Sequence, residues 1–346
     1  PMARPAIMIG LTLVTMETLN DIGAVQFLGI NTLTFSVYDT WLNRGSLSGA
    51  AQIAAMMLGI VALLIWLEQA ARRSQRFSTN RTTGAVHDVV RTSLTGAPAA
   101  GATAFCLIPV VTGFTIPVLV LGGFASRRLP DYLDPRLLDA LWNSLVISSL
   151  TAMIAVLFGL ILAYSIRNDR SSGATIAGRV ASLGYGVPGT VLAIGVLIPM
   201  AGFDNAVDGF LRSNLGLSTG LLLSGSGAAI VYACTARFMT MAEGTLEAGF
   251  HKLSPHLDMA ARTLGRNQRQ TLATILLPNL GPALMTAALM VFIETMKELS
   301  ATMLLRPFNF NTLATLVYED ASRARIEDAS VAAMIIILAG LIPVLI

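Results

Sequence analysis

Charge is the scarcest commodity in this sequence. Asp, Glu, Lys and Arg make up only 12% of its 346 residues, about half of what a soluble domain carries. The net charge of +3 is small, and the basic residues do not gather into the patch that nucleic acid requires. Histidine occurs three times, at His87, His251 and His256, without metal-ligand spacing. The two cysteines, Cys106 and Cys234, fall in or beside apolar runs and read as packing residues, not as a disulfide or metal pair. No Gly-rich phosphate loop ending in Lys-Ser or Lys-Thr is present, so the chain has no ATP chemistry of this kind. No nucleophile–base constellation is visible either, which disfavours a membrane enzyme.

What remains is apolar. The chain is 54% hydrophobic, with a mean hydropathy of +0.68, and several runs approach the ~20 residues that cross a bilayer as a helix. These features predict an all-α polytopic membrane protein with about eight spans, near 6–26, 48–67, 102–124, 140–165, 176–200, 219–240, 279–300 and 329–346. The polar stretch 69–100 reads as a linker on the cytoplasmic side. Arginine is biased to that side if the island 253–278 is cytoplasmic, and Arg237 is counted there. No secretory leader is evident, and the chain reads as a piece lacking both ends.

Two patterns organise the sequence. The first is the polar island from Leu253 to Pro278. Ser254 is a good N-cap and Pro255 suits a first helical position. Asp258 and Arg262 complement the two ends of one short helix. Gly265 can take the left-handed conformation that stops it, Asn267 can cap a second short helix, and Pro278 can open the next span. Ala260 and Ala261 leave little bulk, so another surface can approach closely.

The second pattern is an internal repeat. Met16-Glu17-Thr18-Leu19-Asn20-Asp21 aligns with Ile293-Glu294-Thr295-Met296-Lys297-Glu298. Thr32 to Tyr38 aligns with Thr312 to Tyr318, and Ala51 to Met56 with Ala329 to Met334. Three blocks in one order, with parity kept, imply two parallel homologous repeats about a pseudo-two-fold along the membrane normal. The organisation that follows is 1–68 as the end of a first repeat, 69–100 as linker, and 101–346 as a second repeat containing the island. Residues 1–5 then read as the trailing edge of a second island.

The repeat also pairs intramembrane acids. Glu17 and Asp21 lie four apart on one helix face, as do Glu294 and Glu298. Such acids cost roughly 2.5–3.5 kcal/mol each on insertion scales, so they should face an interior or a water-filled path. Two readings stay open. The four acids line a translocation path and favour a cation, or they are structural, with Lys297 pairing to Glu294 within the helix. Carboxylate oxygens also suit a hard cation such as ferric iron, but no firm metal site follows.

Residues 259–278 resemble the EAA loop of binding-protein-dependent ABC importer permeases. That loop reads Glu-Ala-Ala, three residues, Gly, nine residues, Ile, one residue, Leu-Pro. Here Met259, Ala260, Ala261, Gly265, Ile275, Leu277 and Pro278 keep the spacing, with Leu264 beside the glycine. Met259 replaces the leading Glu, which in the family contributes to docking on the ATPase, and Asp258 stands next to it as a partial substitute. The stretch from Glu294 to Phe308, with Asn311 to Thr315 and Tyr318, is similar to the fused two-repeat ferric-iron permeases.

The resemblance implies a type I-like permease fold in the bacterial inner membrane and no enzymatic activity in this chain. It implies two copies of a cytoplasmic ABC ATPase, which bind the ATP and Mg, and a periplasmic substrate-binding protein. The cargo implied is ferric iron, with thiamine, polyamine or phosphonate as alternatives. An ion-coupled secondary transporter is a further alternative, but it has no need of the island.

Overall fold

The computed structural model describes residues 4–73, 93–132, 134–168, 172–254 and 256–345. The central part of the expected linker and residues 1–3 lie outside the described residues. Among the described residues every regular element is a helix. Four helical stretches are long and apolar enough to cross a membrane. These are Leu47–Leu64 within α4 (Leu47–Arg73), Ala97–Pro130 across α5 (Ala97–Val110) and α6 (Ile116–Tyr132), α7 (Pro135–Asn168) and α9 (Gly189–Leu215). A fifth results if Gln268–Asn279 and Gly281–Met296, bent by 74°, count as one span.

The eight spans read from hydropathy are therefore corrected, and the reason is breakage. The first is cut where α1 (Arg4–Asn20) ends, and the chain resumes as the short α2 (Gly23–Phe27). The fifth is cut by a tight turn at Gly184–Gly186, which separates α8 (Ser172–Leu183) from α9. In the sixth, helix begins only with α10 (Ala228–Lys252), which runs well past residue 240. The seventh is α14 (Gly281–Met296), which stops at Lys297 and is followed by α15 (Ser300–Leu305). The eighth coincides with α17 (Ile326–Leu345). A hydropathy window sums composition. It is blind to a helix that stops inside an apolar stretch because nearby polar groups satisfy the freed backbone.

The core is built around α7, α10 and α14. On α7 the buried positions include Ser144, Ser148, Thr151, Ala155, Gly159 and Ala163, one face at steps of three or four. Across from it α10 buries Ala229, Ala233, Cys234, Ala242 and Leu246. Small residues on both faces let the backbones approach, which is how helices associate where lipid offers no hydrophobic drive.

The two aligned segments follow one order of elements. A helix is followed by a break, a short helix, an N-capped helix and a long helix: α1, α2, α3 (Leu33–Tyr38) and α4, then α14, α15, α16 (Leu313–Ser322) and α17. Thr32 and Thr312 cap their helices alike, accepting from Phe35 N at 3.3 Å and Thr315 N at 3.4 Å. The aligned Tyr38 and Tyr318 meet edge to face, with ring centroids 6.2 Å apart.

Candidate functional site

The island folds as a compact knob. α11 (His256–Thr263) and α12 (Gln268–Thr271) are separated at Gly265, which has φ +80°. Arg266 N donates to Ala261 O and Gly265 N to Arg262 O, both at 3.0 Å. These two bonds are the closure expected of a helix ended by a left-handed glycine. Asn267 caps α12 in a reciprocal pair with Gln270: Gln270 N donates to Asn267 Oδ1 at 2.9 Å, and Asn267 N to Gln270 Oε1 at 3.1 Å. The Ser254 hydroxyl accepts from His256 N at 3.3 Å. Pro255 lies outside the described residues.

The end of α7 is the socket of this knob. Arg167 donates to Asp258 Oδ2 from Nε at 3.1 Å and from Nη2 at 2.7 Å. Arg262 and Gln268 both donate to Asn168 Oδ1, at 2.9 and 3.3 Å, and the Tyr164 hydroxyl donates to Gln268 O at 3.1 Å. Asp258 is thus engaged inside the chain and does not present its carboxylate outward in place of the missing Glu. Ala261 is likewise turned inward, 2% exposed, so Ala260 alone offers the low-bulk surface expected of the pair. What faces out combines apolar and basic side chains: Met259 is 62% exposed and Leu264 81%, and Arg262, Arg266 and Arg269 are exposed beside them. Ile275 and Leu277 are half-buried and Pro278 is exposed.

The acids occupy a second site. A cavity of about 510 Å³ lies between α1 and α14 and is lined by Glu17, Asn20, Asp21, Arg237, Glu294, Lys297 and Glu298. Lys297 Nζ lies 2.9 Å from Glu294 and 3.8 Å from Glu17, so it bridges the two aligned glutamates. Asp21 and Glu298, also aligned, share a structural task. Asp21 Oδ1 accepts from Gly23 N at 3.1 Å and Ala24 N at 3.4 Å; Glu298 Oε1 accepts from Ser300 Oγ and Ala301 N, both at 3.0 Å. Each carboxylate satisfies free N–H or O–H groups where a short helix starts inside the apolar layer.

Glu298 has a second partner. Its other oxygen pairs with Arg237, and both side chains are buried, at 5% and 4% exposure. Asn20 Oδ1 joins the group by accepting from Gly189 N at 2.7 Å and Ser300 Oγ at 3.0 Å. Three chain breaks, after α1, before α9 and after α14, therefore meet in one polar centre. A Cβ on Gly189 would stand 2.7 Å from Glu298 Oε1 and 2.9 Å from Ser300 Oγ, so this junction closes only around glycine. Among the described residues, no three His, Cys, Asp or Glu side chains are placed to hold a metal ion.

A third polar cluster lies at the opposite end of α7. Arg136 donates to Glu319 at 2.9 Å and to Asp320 at 3.4 Å, and the Tyr132 hydroxyl donates to Asp320. Burial, and then the Asp320 carboxylate, push the Tyr132 phenol well above its ordinary range, which keeps it a donor. Arg306 also reaches Glu319, at 2.9 Å.

Comparison with known proteins matches residues 155–346 to the binding-protein-dependent transport system inner membrane components. The chain belongs to that family. As an inner membrane permease with several apolar helices it is a multi-pass membrane protein. Among its relatives, Fe(3+)-transport system permease protein FbpB 2 of Haemophilus influenzae is 27% identical over 349 residues, covering 99% of this chain and 65% of that protein. The permease described here thus spans 65% of the length of that relative. Molybdate/tungstate transport system permease protein WtpB of Pyrococcus abyssi is 27% identical over 171 residues, 49% of this chain and 61% of its own. Among solved structures, a bacterial alginate ABC transporter crystallised with an alginate pentasaccharide-bound periplasmic protein matches with a TM-score of 0.58. That match covers 72% of this chain and 92% of the other at 16% identity, and establishes the fold.

Sequence reasoning placed Arg237 on the cytoplasmic side, and the permease structure corrects this. The residue is 3% exposed, one-third of the way along α10, and tied to Glu298. Nothing local marks it, because its partner is 61 residues away. The one usable signal was composition: an arginine within an apolar run has to find a counter-charge. Asn20 was also passed over, although it sits in an aligned block of the repeat.

Proposed function

We propose that this permease forms the membrane path of an ATP-driven importer and carries ferric iron, delivered by a periplasmic binding protein, into the cytoplasm. The observation that carries the cargo assignment is the alignment of nearly the whole chain with a permease named for Fe(3+) transport. ATP and Mg belong to a separate ATPase, of which two copies serve the two-repeat architecture. The knob 253–278 faces the cytoplasm and receives the ATPase stroke through Met259, Ala260 and Leu264. The order shared by α1–α4 and α14–α17 supports reading the chain as the end of one repeat followed by a second.

The cavity between α1 and α14 is the proposed path. Glu17 and Glu294 offer hard oxygen ligands to a passing cation, while Asp21, Glu298 and Arg237 frame it. Lys297 occupies the site between the two glutamates and must yield as a cation enters. A relative named for molybdate and tungstate favours an oxyanion as the alternative cargo. Lys297 and Arg237 are the donors that such a cargo would use. The test is uptake by the reconstituted complex with Glu17→Gln and Glu294→Gln. Ferric uptake is expected to fall about tenfold or more in the double variant, which corresponds to ~1.4 kcal/mol, with assembly retained. Wild-type ferric uptake in an assembled double variant would remove the path assignment. Uptake of molybdate in place of iron would remove the cargo and leave the transporter class.

A further inference from the structure

The interior end of the knob carries more contacts than a connecting loop needs. Arg167 is the last charged residue of α7, and its side chain is only 15% exposed. It forks onto Asp258 of α11, and the same guanidinium donates to Phe250 O at 2.6 Å and to Leu253 O at 3.4 Å. It also stacks over the Phe250 ring, 5.5 Å from its centroid. Both carbonyls lie at the C-terminal end of α10: Phe250 O also accepts from Leu253 N at 3.1 Å, and Leu253 is the cap residue that follows the helix. One side chain therefore ties the ends of α7 and α10 to the start of α11. Lysine could not reproduce this, because the fork is planar and pre-organised.

The other end of α7 is bound as firmly. Arg136 holds Glu319 and Asp320 of α16, Asn143 Nδ2 donates to Asn311 O at 3.0 Å, and Ser144 Oγ accepts from Leu313 N at 2.7 Å. The helix between these anchors is unbroken from Pro135 to Asn168. At 1.5 Å per residue the distance from Arg136 to Arg167 is about 46 Å, more than the ~30 Å thickness of the hydrocarbon layer. A rod fixed to the knob at one end and to α16 at the other moves as a unit.

We propose that Arg167 is the positioning residue that joins the knob to α7, so that displacement of α11 is delivered along α7 to the Arg136–Glu319–Asp320 cluster on the far side. The inference rests on the reading of the knob as the ATPase contact, and it adds a route and the residue that closes it.

The experiment compares Arg167→Ala, Arg167→Lys and Asp258→Asn in the full-length chain, alone and in the reconstituted complex. Hydrogen exchange reads the position of the knob. Amides of 256–264 are expected to exchange about tenfold faster in Arg167→Ala, while those of 230–248 stay protected. Cargo imported per ATP hydrolysed reads the delivery. It is expected to fall about tenfold in Arg167→Ala, within the usual span of energetic coupling between sites, and less in Arg167→Lys, with the ATPase still co-purifying. Unchanged import per ATP in an assembled Arg167→Ala complex would overturn the proposal. So would equal losses of assembly, hydrolysis and import, which would mark a mere structural prop. If Arg167→Ala fails to fold, Asp258→Asn, which keeps the shape and removes the charge, gives the same two readouts. Absence of ATP-driven uptake in the wild-type complex would sink the importer reading instead, and the exchange measurement would still decide whether Arg167 positions the knob.

Discussion

Glu298→Ala is expected to lower the stability of the purified permease by about 3–5 kcal/mol, the usual result of removing one partner from a buried ion pair. The cost arises on the arginine side. Arg237 is 3% exposed, and its Nε already lacks a partner among the described residues. Deleting Glu298 would leave the whole guanidinium uncompensated in a low-dielectric surrounding. The same deletion would unsatisfy Ala301 N and leave Ser300 Oγ with Asn20 alone at the start of α15, all six residues of which are buried. Glu298→Gln keeps an acceptor for those donors and should lose less. The pair Arg237→Met with Glu298→Leu should recover much of the stability, since apolar replacement of both partners is often neutral or better. Thermal unfolding in detergent, followed by loss of monodispersity, measures all three. A wild-type melting point for Glu298→Ala would mean that the pair is wet and that the polar centre does not hold the breaks together.

Gly265→Val is the second large effect, and it should appear in transport more than in stability. A Cβ at Gly265 would meet open space, so the penalty is conformational. At φ +80° an L-residue costs roughly 1–2 kcal/mol, and a β-branched one more. The chain can escape that cost only by opening the turn, which breaks the bond from Arg266 N to Ala261 O and frees α11 to swing relative to α12. Uptake should fall about tenfold or more while hydrolysis by the bound ATPase continues. Gly265→Asn is the control, because asparagine tolerates the left-handed region, and it should stay near wild type. Unchanged uptake in Gly265→Val would remove the knob from the coupling route.

The knob was the most legible part of the sequence. Its features are local: Asn267 caps three residues ahead, Gly265 stops the helix beside it, and the Ala-Ala-Gly spacing is read along one strand of text. The repeat was legible for the same reason, since aligned blocks need no knowledge of packing. The paired placement of Glu17 and Glu294, and the contact of Lys297 with Glu294, follow from helix periodicity and the alignment. What escaped was long-range. Asp258 looked like an outward acid until Arg167, 91 residues earlier, claimed it. Arg237 looked like a cytoplasmic anchor because hydropathy assigns a charge to the nearest water. The break after Asn20 was hidden because apolar composition persists through it. In each case the deciding partner belongs to another helix, and a single window of sequence does not contain it.

The substitution of Met259 for an acid has a consequence for ionic strength. The acid of α11 is spent inward, Asp258 on Arg167, and the position of the missing Glu is taken by the outward Met259, beside Ala260 and Leu264, while Arg262, Arg266 and Arg269 stay exposed around them. The Met259–Leu264 part of that surface adheres through water exclusion, which salt does not screen. Raising salt from 0.1 M to 1 M shortens the Debye length from ~10 Å to ~3 Å and loosens contacts made by exposed charges. A contact made on Met259 and Leu264 should therefore persist through such a wash, whereas contacts made by the exposed arginines, or by a glutamate at position 259, would loosen.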